Sequence, residues 1–261
     1  MLTKEANQEG HFRVENISIS FGGLKAVSNF SLDIAPKSLR GLIGPNGAGK
    51  TTVFNLITGV YLPDTGEMSL GGKSLKGLAP HEITRAGLAR TFQNIRLFKE
   101  LSVLQNVLVS YHMRSPYGYS DALLRTSHFL ETEARWEDHA MELLELMGLA
   151  HRKSDPAKSL SYGNQRRLEI ARALATQPKV LFLDEPAAGL NSREKVELME
   201  TIAQIRNQFQ VSVLLIEHDM KLVMGICERI TVLDHGETIA EGLPKEIQEN
   251  PKVIEAYLGG V

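Results

Sequence analysis

Gly44, Pro45, Asn46, Gly47, Ala48, Gly49, Lys50 and Thr51 read G-x-x-x-x-G-K-T, and no other stretch constrains the fold of this chain as strongly. The run lies between a short apolar segment of strand character at 39–43 and a natural helix at 50–58, which Gly59 closes with Pro63 beyond. Glycines let successive backbone N–H groups curl around phosphate oxygens where a Cβ would obstruct them. The helix start adds a partial positive charge. In that setting Lys50 can bridge the β- and γ-phosphates of a nucleotide, and the Thr51 hydroxyl can ligate Mg2+.

The surrounding pattern is α/β. Residues 12–20 and 27–34 alternate with the period of half-buried strands, and 66–70, bounded by Gly71 and Gly72, is a further short strand. From about 93 to 155 the texture becomes helical, with apolar spacing at 104–113 and 131–147, a loop at 115–120 and no strand signal. Strands then return at 179–183 and 211–216, separated by a helix at 193–209. Their uniformly apolar VLFL and VSVLLI argue for a parallel sheet covered on both faces. A meander around His235 and Gly236 leads to short helices near 244–249 and 253–258.

Chemistry-bearing residues fall at the strand ends. Asp184 and Glu185 follow VLFL, at the edge where α/β sheets bind ligands. Asp184 can hold a metal through water, and Glu185 is placed to polarise an attacking water as general base. His218 follows VSVLLI and Glu217 and emerges on the same edge, within reach of a γ-phosphate. Gln93 ends the strand expected at 88–92, where the helical segment begins; it can touch Mg2+ and the attacking water. Ser161 of LSYGNQ heads a long helix, either as its N-cap or as part of a second phosphate-binding helix end. One phosphate loop plus a distant second phosphate site points to two sites meeting across a dimer.

Composition narrows the partners. Twenty-nine basic against 31 acidic residues give a net charge of −2, where a duplex-binding domain carries a basic surplus, so no nucleic-acid partner is expected. The single cysteine, Cys227, excludes a disulfide within the chain and a cysteine metal site. Residues 1–12 show no apolar leader, and no charge-free run approaches the ~18 residues of a spanning helix. Membrane association is therefore expected to come through a partner protein.

Together, GPNGAGKT, Gln93, LSYGNQ, VLFLDE, AAGLN and His218, in this order, resemble the nucleotide-binding subunit of ABC transporters over nearly the whole chain. LSxGxQ is the discriminating element, since a phosphate loop alone fits many NTPases. The GLNSREK continuation, the tyrosine-bearing segment at 110–136 and the ending GLPKEIQENPKVIEAYLG resemble the subunits of bacterial branched-chain amino acid importers. ATPases of urea or amide importers and of lipopolysaccharide export share much of this texture. A soluble ATPase of the same family acting on nucleic acid or ribosomes would carry tandem cassettes or long coiled-coil insertions, which this sequence lacks. A small-molecule kinase leaves LSYGNQ and His218 without a use.

The resemblance implies one cassette with a P-loop NTPase fold. Its core, with an antiparallel β subdomain, spans 1–92 and 165–241, an inserted helical subdomain spans 93–164, and short helices fill 242–261. It also implies that Phe21 stacks on adenine and that Thr52 joins residues 44–51 in holding ATP. Ser161, Gly163 and Asn164 would contact the ATP of the opposite subunit, and residues 187–191 would line that interface. His218 would act as the switch histidine, Lys50 and Glu185 would serve hydrolysis, and Thr51, Gln93 and Asp184 would serve Mg2+. Implied partners are a second ATPase subunit, identical or paralogous, two integral membrane permease subunits and, indirectly, an extracytoplasmic substrate-binding protein. The implied location is the cytoplasmic face of the bacterial plasma membrane. Three positions depart from the family pattern: Tyr162 for a glycine, Asn164 for a glutamine and Asn191 for an aspartate. Since Ser161 and Gly163 are kept, Tyr162 is expected to point away from nucleotide.

Overall fold

A computed structural model describes residues 10–258. Residues 1–9, where the sequence predicts no apolar leader, and residues 259–261 lie outside the described residues. In chain order the elements are β1 (Phe12–Phe21), β2 (Leu24–Ile34), β3 (Leu39–Ile43), α1 (Lys50–Ile57), β4 (Thr65–Leu70), β5 (Lys73–Ser74), α2 (Pro80–Ala86) and β6 (Leu88–Arg90). There follow α3 (Val103–Tyr111), α4 (Tyr119–Leu124), α5 (Ser127–Leu146) and α6 (Tyr162–Ala175). The chain ends with β7 (Val180–Asp184), α7 (Ser192–Phe209), β8 (Ser212–Ile216), α8 (Met220–Ile226), β9 (Arg229–Asp234), β10 (Glu237–Gly242), α9 (Pro244–Gln248) and α10 (Pro251–Leu258).

Contacts divide the chain into two compact units: one holds the residues up to Arg90 and from Lys179 onward, the other Thr91–Pro178. The first contains both sheets. A four-stranded antiparallel sheet has the order β2-β1-β4-β5, and a six-stranded sheet has the order β10-β9-β3-β8-β7-β6. In the larger sheet β9, β3, β8, β7 and β6 run parallel, and β10 adds antiparallel at the edge. Every residue of β3, β7 and β8 is buried, which explains why they read as continuous apolar runs rather than alternating ones. Phe12 and Phe54 both pack against Phe182, at 5.5 and 5.6 Å, in a core built from both sheets and α1.

The second unit is helical. α6 packs on α3 and α5, so it falls whole within this unit, whereas the expected subdomain boundary at 164/165 cuts its first turn. The expected loop at 115–120 contains the start of α4, where Gly118 N–H donates to Asp121 and closes the first turn. An aromatic group steadies this region: Tyr111 stacks on Trp136 at 5.7 Å, and Tyr117 packs on both Phe129 and Trp136. The Tyr117 hydroxyl donates to Glu133. No helix among the described residues is long and apolar enough to cross a membrane.

Candidate nucleotide site

Strand register sets the site. Leu42 of β3 lies opposite Ile216 of β8, and Ile216 lies opposite Asp184 of β7. The phosphate loop, Glu185 and Glu217–His218 therefore leave the sheet at one level on its carboxyl edge.

Gly44 shows why the loop needs glycine. Its φ is +153°, and a Cβ there would stand 2.1 Å from the Leu233 carbonyl oxygen, a backbone atom that cannot rotate away. Gly44→Ala is expected to destabilise the protein by at least about 2 kcal/mol, read by chemical denaturation. Gly47 (φ +83°) has open space where its Cβ would be, so the loop backbone is accessible there.

α1 begins at Lys50 with no side-chain cap and no acidic residue in its first turn. Its leading N–H groups lack intrahelical acceptors, an arrangement that suits a phosphate. Lys50 is buried, and its Nζ donates to the carbonyls of Gly44 (2.6 Å) and Pro45 (2.9 Å). Burial lowers the Lys50 pKa, while the Glu185 and Asp184 charges pull it back up. Two negative groups thus act on the one ammonium in the loop. Thr51 is exposed and Thr52 half-buried in the first turn of α1.

The carboxylates have separate environments. Asp184 is buried, and Arg90 Nη2 stands 3.9 Å from its Oδ2. Arg90 also donates to Asn55 (3.2 Å) and Thr58 (2.7 Å), tying β6 to α1. Glu185 has a left-handed backbone (φ 46°), unusual for a side-chain-bearing residue. It is held by donation from its N–H to Ile216 O (2.9 Å) and by Ala188 N–H on its own carbonyl (3.1 Å). Such strain is kept where surrounding contacts fix it. His218 Nδ1 is 3.9 Å from Glu185 Oε1, with the histidine side chain 60% exposed. Asp219 beside it caps α8 by accepting from the N–H groups of Lys221 and Leu222, and it pairs with Lys195 at 2.6 Å.

Sequence reasoning missed Glu217. Its buried carboxylate accepts from Ala187 N–H (2.7 Å) and His218 N–H (3.3 Å), joining the segment after Glu185 to the histidine. Burial still holds its carboxyl above the ordinary range. A buried acid directly after an apolar strand was the available signal.

Phe21 ends β1, is 43% exposed and meets Tyr61 edge-on at 5.3 Å, leaving aromatic surface free for a base. Asn191 caps α7 through the N–H groups of Arg193 and Glu194, a task that asparagine performs as well as aspartate.

Gln93, Ser161, Gly163 and Asn164 belong to the helical unit. The strand expected to run to Phe92 stops at Arg90, because the Phe92 and Gln93 carbonyls accept from Arg166 at 2.5 and 2.7 Å instead of joining the ladder. Ser161 is exposed and caps α6 by accepting from Asn164 N–H (3.4 Å). The Tyr162 ring lies over Arg166, and its hydroxyl accepts from that guanidinium (3.1 Å). The substituted tyrosine is therefore used within its own helix.

These residues fit ATP and Mg2+. The uncapped helix start, the open backbone at Gly47 and the buried lysine suit a triphosphate. Among the described residues no group of three or more His, Cys, Asp or Glu could cage a metal. Mg2+ has no need of one, since it is held through one or two carboxylates plus substrate phosphates; Asp184 would supply a carboxylate and Thr51 a hydroxyl oxygen beside them.

The family described as ABC transporter matches residues 27–188, and that described as branched-chain amino acid ATP-binding cassette transporter matches 237–261. The chain is 50% identical over 246 residues to LivG of Salmonella typhimurium, a high-affinity branched-chain amino acid transport ATP-binding protein, covering 94% of this chain and 96% of that protein. It is 47% identical over 246 residues to BraF of Pseudomonas aeruginosa, described in the same terms, with the same coverage. Among solved structures, the ADP conformation of an ATP-binding cassette of an ABC transporter matches with a TM-score of 0.83 at 31% identity, over 95% of this chain and 98% of that one. An ABC family match across more than half the chain, half-identical relatives over nearly its full length and a shared fold lead to one assignment: the chain belongs to the ATP-binding cassettes of ABC transporters.

Proposed function

We propose that this chain is the ATP-hydrolysing subunit of an importer that takes up branched-chain amino acids (leucine, isoleucine and valine) through a membrane permease. The observation that carries the hydrolytic part is the convergence of Lys50, Asp184, Glu185 and His218 on one sheet edge, with both carboxylates acting on the lysine. The transport part is supported by the identity to LivG and BraF and by the family match at 237–261.

In this reading Gly44, Pro45, Asn46, Gly47, Ala48, Gly49, Lys50, Thr51 and Thr52 hold the phosphates, and Phe21 stacks on adenine. Thr51 and Asp184 hold Mg2+, which offsets the charge of the phosphates when bound. Glu185 takes a proton from the water that attacks the γ-phosphorus, the bond to the ADP oxygen breaks, and inorganic phosphate leaves. Lys50 and His218 stabilise charge on the transferring group.

Ser161, Gly163 and Asn164 bind the ATP of a second cassette, so that ATP favours the closed pair. The partners are that second ATPase subunit, two permease subunits and, through them, an extracytoplasmic substrate-binding protein. The subunit works peripherally, on the cytoplasmic face of the plasma membrane. Affinity purification from detergent-solubilised membranes tests the assignment. A branched-chain amino acid permease and a second ATPase are expected to copurify; a lipopolysaccharide-export, urea or drug permease would contradict it.

A further inference from the structure

The end of β8 holds Glu185 from both sides. On the near side, Glu185 N–H donates to the Ile216 carbonyl (2.9 Å). On the far side Pro186 has no N–H to give. The first donor beyond Glu185 is therefore Ala187 N–H, and Glu217 Oε1 accepts it at 2.7 Å. Ala187 and Glu217 are 2% and 1% exposed, so water cannot stand in for that bond. Glu217 Oε2 serves the histidine: it accepts from His218 N–H (3.3 Å) and lies 4.0 Å from His218 Nδ1. The same Nδ1 is 3.9 Å from Glu185 Oε1.

The two grips on Glu185 differ in kind. The Ile216 contact joins backbone to backbone and survives any change of side chain. The Glu217 contact is made by a side chain; without its oxygens, the left-handed turn at Glu185 (φ 46°) is held on one side only, and Ala187 N–H is buried with no acceptor. Asp219 adds a tie from the other flank of His218, pairing with Lys195 of α7 at 2.6 Å. The acids on either side of His218 thus both reach the segment that follows Glu185. Two N–H donors on its two oxygens favour the carboxylate form of Glu217, against the burial that holds its carboxyl above the ordinary range.

We propose that Glu217 is a positioning residue for hydrolysis: its two oxygens hold the turn that carries Glu185 and the backbone that carries His218 in one frame, so that base and histidine meet the γ-phosphate together. The proposal rests on the hydrolytic reading of Glu185. Being buried, Glu217 acts through these two residues rather than on the nucleotide. The phosphate loop and the start of α1 hold ATP without it. Its loss therefore shows in turnover and not in affinity, since a displacement of about 1 Å at a reacting group can cost roughly a hundredfold in rate.

The test is kcat and KM for ATP on the full-length chain, together with the Kd of the slowly hydrolysed analogue ATPγS by calorimetry. Glu217→Gln keeps the shape but offers one oxygen to two N–H donors, so either Ala187 or His218 is left facing an amide NH2. It is expected to lower kcat roughly tenfold or more, as for the loss of one hydrogen bond to a charged group, with KM and Kd within about twofold of wild type. Glu217→Leu, with no oxygen, is expected to lose more in kcat at the same Kd; if it fails to fold, Glu217→Gln decides alone. Arg206→Met removes a pair with Glu228 further along α7 and is expected to leave kcat and Kd unchanged. A Glu217→Gln chain with wild-type kcat would overturn the positioning role while leaving the ATPase reading standing, as would a weakening of ATPγS binding as large as the fall in kcat. A wild-type chain that failed to hydrolyse ATP would overturn that reading, and the positioning role with it.

Discussion

Glu185→Gln is expected to reduce ATP turnover at least about a hundredfold, the scale of a lost general base, while ATP still binds. Binding rests on the loop and the start of α1, which the substitution does not touch. The amide keeps the size of the carboxylate but has no oxygen basic enough to take a proton from water. The fixed backbone of Glu185, with φ 46° and its N–H on Ile216 O, holds the replacement in the same place, so the change is chemical rather than structural. ATP then remains between two cassettes, and size-exclusion chromatography is expected to show a dimer with ATP and a monomer with ADP. A Glu185→Gln protein with full activity would remove Glu185 from the role of base.

The second large effect is one of stability. Arg166 is fully buried (0% exposed) and donates to Glu169 (2.8 Å), to the carbonyls of Phe92 and Gln93 and to the Tyr162 hydroxyl. It binds the start of α6 to the backbone at Gln93 within the helical unit. Arg166→Met fills similar volume but leaves Glu169, itself buried, without its directly bonded cation, with only the longer-range charge of Arg172 acting on it. Breaking one side of a buried pair costs about 3–5 kcal/mol, which denaturant titration would read as a large fall in stability.

The pH dependence has a definite sign. Burial already holds the Glu169 carboxyl above its ordinary pKa against the pull of Arg166, and losing the arginine raises it further. A folded-state pKa above the unfolded value makes stability fall as pH rises from the unfolded toward the folded value. The deficit of Arg166→Met is therefore expected to be smaller in mild acid than at neutral pH. Arg166→Met combined with Glu169→Leu is expected to recover part of the loss, as replacement of both partners of a buried pair commonly does. A deficit independent of pH and unrelieved by the second change would exclude the pair as its cause.

Local signals made half of the site legible. The loop at 44–51 declares itself because phosphate binding demands glycines at fixed spacing next to a helix start, and Asp184 and Glu185 stand out after four apolar residues. Ser161 was readable as a cap because capping is decided within three residues. Arg166 carries no local mark in NQRRLE, because its carbonyl partners at Phe92 and Gln93 lie 74 and 73 residues away. Glu217 likewise depends on Ala187, 30 residues earlier. The short helices Pro80–Ala86 and Met220–Ile226 went unread because seven residues span too few turns to show a period. Strand order was also hidden: β8, which lies between the loop strand β3 and the carboxylate strand β7, comes later in sequence than both.

The most direct measurement is transport. The chain, copurified with its permease and second ATPase and reconstituted into liposomes with the cognate binding protein, is expected to accumulate radiolabelled leucine, isoleucine and valine only when ATP is supplied on the cassette side. Glu185→Gln is expected to abolish that uptake. ATP-independent uptake, or ATP-driven movement of a different solute with none of these three, would contradict the account.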